Sequence, residues 1–457
     1  MILMVRRWGR GLLKLGGLGL AIFVGLELSL RLFQPQSLDY YRKLKNLHVY
    51  HPEYLVGLEA GADYYLRHNN GLWEGRFQIN ELGYRGSVTP APDEMVLGCL
   101  GDSLVMGFGV SDEDTFCRRL DGITLGGQRY RSQNLGVDAF GSQGYAGRLD
   151  EAIDEKLPNL GTVLLFISPN DFTLPQELRD RGIVPDDETD AVREANPEFK
   201  QAFRLQFTLT RYSYALHAAS VARHQLRIRR ASMQKNMRRE LVESGILEYR
   251  PEIDGEIPAE HLGFRNYLGR SFYRPPEAPD CDVDSAAGPG ESGGPNSNAT
   301  PVARPVCPTP VPEKVRCDAR PPASQSLEAL PEITRVAYER MIASADRAGV
   351  RLVVVFLPVQ METLHCELNG KYSRFFNHAL RAGKYFREQD IQTIDLRKYI
   401  PEMCGAPLLN ADGSLWKYSQ VEDYIIQGDG HLTVAGNRWA AEALKRELKK
   451  MAGANAL

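Results

Sequence analysis

The run Val96-Leu97-Gly98-Cys99-Leu100 is apolar throughout and stops at Gly101-Asp102-Ser103. A strand that is apolar on both faces belongs in a sheet covered on both sides, which in practice means a parallel sheet flanked by helices. Residues 95–100, 162–167, 351–357 (apolar throughout from Leu352 to Leu357) and, more weakly, 392–396 share that pattern. The hydrophobic spacing predicts helices over 142–156, 332–348, 372–388 and 434–448. Strands alternating with helices imply an α/β fold with a mostly parallel sheet.

A strand that ends in glycine and then presents a serine puts a hydroxyl where open α/β sheets hold their ligands. Serine becomes a nucleophile only when a base takes its proton. Gly-Asp-Ser is equally a turn composition, so the rest of the chain has to supply the base. With 457 residues the chain has room for one large domain with insertions. The α/β rhythm covers 93–171 and 330–450, and it is split by an insertion at 172–329. Residues 197–241 of that insertion read as one or two helices, rich in arginine from Arg223 to Arg239. Such a run is ordinarily a solvated helix face, and in its sharper reading a contact with anionic lipid or glycan. Residues 275–324 are rich in Pro, Gly, Ser and Ala, a composition that cannot bury enough apolar surface to order itself. Ahead of the first core strand, 34–92 reads as an irregular, aromatic-rich stalk against the domain edge, with an ordered turn at Ile79-Asn80-Glu81-Leu82-Gly83-Tyr84-Arg85-Gly86.

The first 33 residues carry Arg6, Arg7, Arg10 and Lys14 before an apolar run from Leu15 to Leu26. Glu27 and Arg31 follow, four apart and able to pair on one helix face. The segment reaches spanning length when Lys14 and Arg31 snorkel to the two interfaces. No small-x-small cleavage site follows, so an uncleaved signal-anchor is expected rather than a signal peptide. Cationic residues before the segment place the N-terminus in the cytoplasm and the remainder outside. The net charge of −3 and 25% charged residues point to neither nucleic acid nor an acidic ligand. Seven cysteines are compatible with an oxidising compartment. Cys99 and Cys117 read as buried small hydrophobes, and disulfides among Cys281, Cys307, Cys317, Cys366 and Cys404 are plausible with no readable connectivity.

Four pieces each fall at a strand–loop–helix junction. They are Gly101-Asp102-Ser103, the stretch from Asn134 to Ser142, Ser168-Pro169-Asn170-Asp171, and Gly428-Asp429-Gly430-His431 before the last helix. Acyl transfer needs a nucleophile, a base, a group that orients the base and donors for an oxyanion. Ser103, His431, Asp429, the Asn170 amide and the backbone N–H groups of Ser103 and of the 137–141 turn can fill those places. Singly, each piece is an ordinary turn or cap. Their order and placement are what single them out. Gly107-Phe108-Gly109 hints at a phosphate loop but lacks the third glycine and the Lys-Ser/Thr pair.

These four pieces resemble the sequence blocks of the SGNH (GDSL-type) hydrolase superfamily. The resemblance implies a three-layer α/β/α flavodoxin-like sandwich, with Ser103 as nucleophile and oxyanion donor, Asn170 as side-chain oxyanion donor and His431 as base. The anchor, the 79–86 turn and Asp429-x-His431 resemble a bacterial membrane-anchored branch of that family. Three positions depart from the family pattern. Ala139 stands where the second block usually has glycine, with Gly136 and Gly141 on either side. Ser168 stands two residues before Asn170 where glycine is frequent. Gly428 occupies the usual position of the acid, which leaves Asp429, with Asp423 as the alternative.

The resemblance implies a membrane-anchored extracytoplasmic esterase for acyl or acetyl esters of an envelope carbohydrate or lipid, with no cofactor. O-acetyl transfer to a polysaccharide needs the same groups, and a non-catalytic binding protein could keep the fold. No metal cluster is expected, since His365 and Cys366 are adjacent and no Cys-x-x-Cys occurs.

Overall fold

In the computed structural model the apolar runs become the middle of one sheet. The structure describes residues 2–138, 141–167, 197–223, 225–226, 229–230, 330, 332–358, 378–403, 407–409, 415–418, 423–426 and 429–454. Helices α1 (Ile2–Phe33) and α2 (Gln36–Leu47) come first. Two antiparallel pairs follow, β1 (His48–His51) with β2 (Leu55–Leu58) and β3 (Asp63–Arg67) with β4 (Glu74–Gln78). Strand β5 (Val96–Leu100) then leads into the short helices α3 (Ser103–Met106) and α4 (Phe116–Arg119). A small hairpin, β6 (Thr124–Leu125) with β7 (Gln128–Arg129), precedes β8 (Arg131–Asn134), α5 (Ser142–Glu151) and β9 (Leu160–Ile167). Helix α6 (Pro197–Tyr212) is followed by a second helical run at 214–223. The last part holds α7 (Glu332–Ala348), β10 (Arg351–Phe356), α8 (His378–Glu388), β11 (Gln392–Asp395) and α9 (Val434–Ala454).

The central sheet has the order β11-β10-β9-β5-β8, and all its pairs are parallel. Counted along the chain this is 2-1-3-4-5, the flavodoxin-like doubly wound order, whose switch point lies between the first strand and its neighbour beyond. Here that point lies between β5 and β9, and β5 is the strand that delivers Ser103.

Alternation along the strands sorts the side chains into two cores. Val163, Leu165, Ile167, Val354 and Phe356 pack with Tyr145 and Leu149 of α5, Tyr338 and Met341 of α7, and Phe386 of α8. Leu164, Phe166, Val353 and Val355 face the other way, onto Phe116 of α4 and Trp439, Ala440 and Leu444 of α9. Three layers, α/β/α, are the result. Burying each large aliphatic side chain stabilises by about 1.5–3 kcal/mol, so nearly every strand position contributes. The edge strand β8, Arg-Ser-Gln-Asn, carries no apolar signature and is missed by hydrophobic pattern alone.

Two readings of the sequence are corrected here. Cys99 and Cys117 are buried, but they are joined in a disulfide rather than standing as separate hydrophobes. Cys99 points into the second core and α4 packs on that face, which brings the two Cα atoms to 6.1 Å, within bridging range. The segment 34–92 is not irregular. It contributes α2 and both β pairs, and Tyr54, Leu66, Trp73, Phe77 and Tyr84 enter the first core. Cys281, Cys307, Cys317, Cys366, Cys404 and the 275–324 stretch lie outside the described residues.

Among the described residues, α1 alone is long and apolar enough to cross a membrane. Its window Gly16–Phe33 has a mean hydropathy of 1.6 and none of it is buried.

Candidate active site

Gly101 ends β5 where the chain must turn hard: a Cβ there would lie 2.4 Å from Val105 Cγ2. Asp102 caps the short helix that follows, its carboxylate accepting the Leu104 N–H at 3.0 Å, an arrangement usually worth about 1 kcal/mol. The aspartate of Gly-Asp-Ser is therefore a cap. Ser103 opens α3, where a backbone N–H has no carbonyl of its own helix to bond. Gly107 then closes α3 in the left-handed conformation at φ +76°, a Cβ there falling 2.4 Å from Thr115 Cγ2.

His431 arrives from the opposite end of the chain on a tightly bonded loop. Asp429 and Gly430 donate to the Ile426 carbonyl at 3.1 and 2.9 Å, and Ile426 donates back to the His431 carbonyl at 2.7 Å. Thr433 caps the start of α9 through Gly436 N–H at 3.1 Å. Asn437 of α9 accepts the Phe116 N–H at 2.9 Å, tying this loop to α4. The result brings His431 Nε2 to 2.8 Å from Ser103 Oγ, across 328 residues of sequence, while Nδ1 is hydrogen-bonded to Asp429 Oδ1. Both ring nitrogens are thus accounted for, and Asp423, the alternative acid, is not among their partners; its carbonyl accepts the Thr433 hydroxyl at 2.6 Å.

Asp429 has a further partner that sequence reasoning missed. The Trp73 indole N–H donates to Asp429 Oδ2 at 3.0 Å. Burial pushes the Asp429 carboxyl up, but the His431 hydrogen bond and charge and the indole bond outweigh it and hold it below its ordinary value. Trp73 sits at the foot of β4, edge-on to Phe108 at 5.0 Å, and Phe108 lies 5.2 Å from the His431 ring. Gly107-Phe108-Gly109 is therefore the turn that wraps the imidazole. A Cβ on Gly109, at φ +96°, would come within 2.5 Å of Ile426 Cδ1 and 3.5 Å of Trp73 Cγ. The 79–86 turn braces this wrap from behind. Arg85 is fully buried, ion-paired with Asp112, donating to the Val110 carbonyl at 2.8 Å and stacked 3.6 Å over Phe77.

On the other side lies the stretch after β8. Asn134 donates to the Val105 carbonyl at 2.7 Å and accepts Gly136 N–H at 2.9 Å. A Cβ on Gly136 would meet Met106 N at 2.4 Å, so this glycine lets the stretch lie directly on α3. The Val137 N–H is spent on the Gly101 carbonyl at 3.2 Å, which removes it from the candidate oxyanion donors. Ala139 and Asn170 lie outside the described residues.

Asp138 forms a second histidine–aspartate pair, with His48 Nε2 at the start of β1. His48 Nδ1 faces the Leu44 carbonyl at 2.7 Å. A carbonyl only accepts, so Nδ1 carries a proton and Nε2 shares another with the carboxylate. Burial lowers the His48 pKa, and the Asp138 charge and bond, with the Leu44 carbonyl, overcome it and leave the net value raised. Asp138, pushed up by burial, is brought below its ordinary value by His48 and, more weakly, by His431. Both displacements favour the imidazolium–carboxylate form of the pair.

No family model and no curated protein matches the chain. Among solved structures, a G-D-S-L-family protein from Desulfitobacterium hafniense DCB-2 aligns at 10% identity over 77% of this chain and 99% of that one, with a TM-score of 0.29. That likeness is too distant to carry an argument. The described residues form a doubly wound α/β sheet that brings Ser103, His431 and Asp429 together at its switch point.

Proposed function

We propose that this chain is a serine ester hydrolase of SGNH type, held to a membrane by α1 with its sheet domain outside the cytoplasm, and acting on acyl or acetyl esters of an envelope carbohydrate or lipid. The carrying observation is the 2.8 Å contact between Ser103 Oγ and His431 Nε2, with Asp429 on the far nitrogen. Asp429 is acceptor-only, so the Nδ1 proton points at it and Nε2 keeps its lone pair for the serine hydroxyl.

The reaction follows from that tautomer. As Ser103 Oγ bonds to the ester carbonyl carbon, its proton passes to Nε2 and Asp429 stabilises the imidazolium. The carbonyl oxygen, now an oxyanion, takes hydrogen bonds from the Ser103 N–H and, by the family resemblance, from Ala139 N–H and the Asn170 amide; each such donor is typically worth ~3 kcal/mol. Collapse breaks the ester C–O bond, and the leaving alkoxide takes the proton from Nε2. Water then repeats the sequence, giving its proton to His431 as it attacks the acyl-serine, and the acid is released.

The test is a fluorophosphonate probe on the full-length protein, with adducts mapped by mass spectrometry. The expected result is one adduct, on Ser103, absent in Ser103→Ala and lost in His431→Ala. Folded protein that takes no adduct would overturn the reading in favour of a binding role. Supplying a sugar hydroxyl beside water as acceptor, and weighing acylated sugar against free acid, separates transfer from hydrolysis.

A further inference from the structure

Glu27 and Arg31 interrupt the apolar face of α1, and both are taken up by the insertion. Glu27 pairs with Arg31 at 2.7 Å and accepts from Ser213 Oγ at 2.8 Å, Tyr214 N–H at 3.0 Å and Ala215 N–H at 2.8 Å. The last two are opening amides of the 214–223 helix, which have no intrahelical partner and lie at the positive end of its dipole. Arg31 donates to the Tyr212 carbonyl at 2.6 Å and lies 4.9 Å over the Tyr214 ring, which Arg42 covers at 4.1 Å. The bend after α6 is thus bolted to α1 inside the window Gly16–Phe33.

Helix α6 turns Phe203 and Phe207 towards the body of the protein. Phe203 meets Tyr50 of β1, and Phe207 lies under the Lys45 ammonium of α2. The opposite side carries Leu205, Leu209 and Tyr212, exposed at 63%, 47% and 69%. Their spacing of four and three lines them on one face, and the line ends at Tyr212, whose carbonyl Arg31 holds. Whatever medium receives α1 therefore receives the end of this apolar line as well.

We propose that α6 and its bend are a second membrane contact, with Leu205, Leu209 and Tyr212 seated in a phospholipid bilayer beside α1. An amphipathic helix in this position buries its apolar face about 5–10 Å into the headgroup–acyl boundary. Tyr212, Tyr214 and Arg31 are the residue types that settle at that boundary. The contact reaches the catalytic domain through packed groups. Gln225 donates to the Tyr41 hydroxyl at 2.6 Å, Tyr41 is edge-on to Tyr40 at 5.1 Å, Tyr40 to Trp73 at 5.9 Å, and Trp73 bonds Asp429. The proposal rests on α1 entering the membrane, and it is independent of the chemistry at Ser103.

The test uses the full-length protein in palmitoyl-oleoyl phosphatidylcholine vesicles doped with a phosphatidylcholine that carries a diazirine on its acyl chain. After irradiation, adducts are mapped by mass spectrometry. Adducts are expected on α1 and on peptides holding Leu205, Leu209 and Tyr212. In the Leu205→Glu, Leu209→Glu double variant, with helix content unchanged by circular dichroism, the second set is lost and the α1 set stays. Adducts confined to α1 would overturn the second contact and leave the anchor standing. Absence of adducts everywhere would overturn the anchor and this inference together, while labelling of Ser103 by fluorophosphonate would still report on the esterase reading.

Discussion

Two histidine–aspartate pairs lie among the described residues, and they are built to opposite ends. His431 gives one nitrogen to Asp429 and turns the other to a serine hydroxyl. His48 gives one nitrogen to Asp138 and the other to a backbone carbonyl. Both rings are oriented by a carboxylate, yet only His431 has a lone pair facing a proton it can take. His48 holds both its protons against acceptors and cannot act as a base. A carboxylate beside an imidazole therefore says little about catalysis. What the second nitrogen faces decides the matter.

The comparison can be broken at several levels. Ser103→Ala or His431→Ala is expected to cost roughly 10⁶-fold in ester turnover with little change in thermal stability, and Asp429→Asn roughly 10⁴-fold by favouring the wrong tautomer. Rates within tenfold of wild type would remove the triad from the mechanism. His48→Gln should do the reverse. It removes the charged hydrogen bond to the half-buried Asp138 carboxylate, at about 1.5–3 kcal/mol of stability by chemical denaturation, while fluorophosphonate still labels Ser103 in the folded fraction. Labelling lost as completely as in His431→Ala would mean that the two pairs share a role.

Trp73→Phe sharpens the contrast from the acid's side. The ring packing stays and one hydrogen bond to a charged group goes, worth about 1.5–3 kcal/mol. The measurement is kcat against KM for a small ester, and the loss is expected in kcat, since Trp73 touches Asp429 and not the substrate.

The smallest effect is in pH dependence. Asp138, with its folded pKa lowered, contributes stability that is present above about 3.9 and is lost as pH falls through the folded value. His48, with its folded pKa raised, contributes stability that is fully present below about 6.5 and fades as pH rises through the folded value. The melting-temperature gap between wild type and His48→Gln should therefore be widest between these limits and narrow on the alkaline side, where His48 gives up its proton. A gap constant up to pH 10 would show that the pair is not ionic.

The meeting of Ser103 and His431 was legible because Ser103 follows an apolar strand and His431 precedes an amphipathic helix, positions that a doubly wound sheet brings together. The parallel sheet followed from the same rhythm, apart from β8, whose four polar residues give no pattern to read. Trp73 and His48 were illegible for a different reason. They lie on small antiparallel pairs outside the main sheet, and their partners are 356 and 90 residues away. No local periodicity encodes where such a pair folds back. The free-thiol reading of Cys99 and Cys117 failed on the same ground: their burial could be read from the sequence, and their face-to-face placement could not.

That disulfide closes a loop of 18 residues in which the nucleophile itself sits, between β5 and α4. Such a crosslink contributes about 3 kcal/mol on a chain-entropy account, and bonds of this kind form and persist in oxidising compartments. The wrap of Phe108 around His431 belongs to the same loop, so readiness for chemistry is coupled to thiol oxidation. With that cysteine pair reduced, Ser103 and Phe108 would ride on a slackened loop while His431 and Asp429 stay on theirs. Protein purified under reductant would then misreport how firmly Ser103 is held against His431.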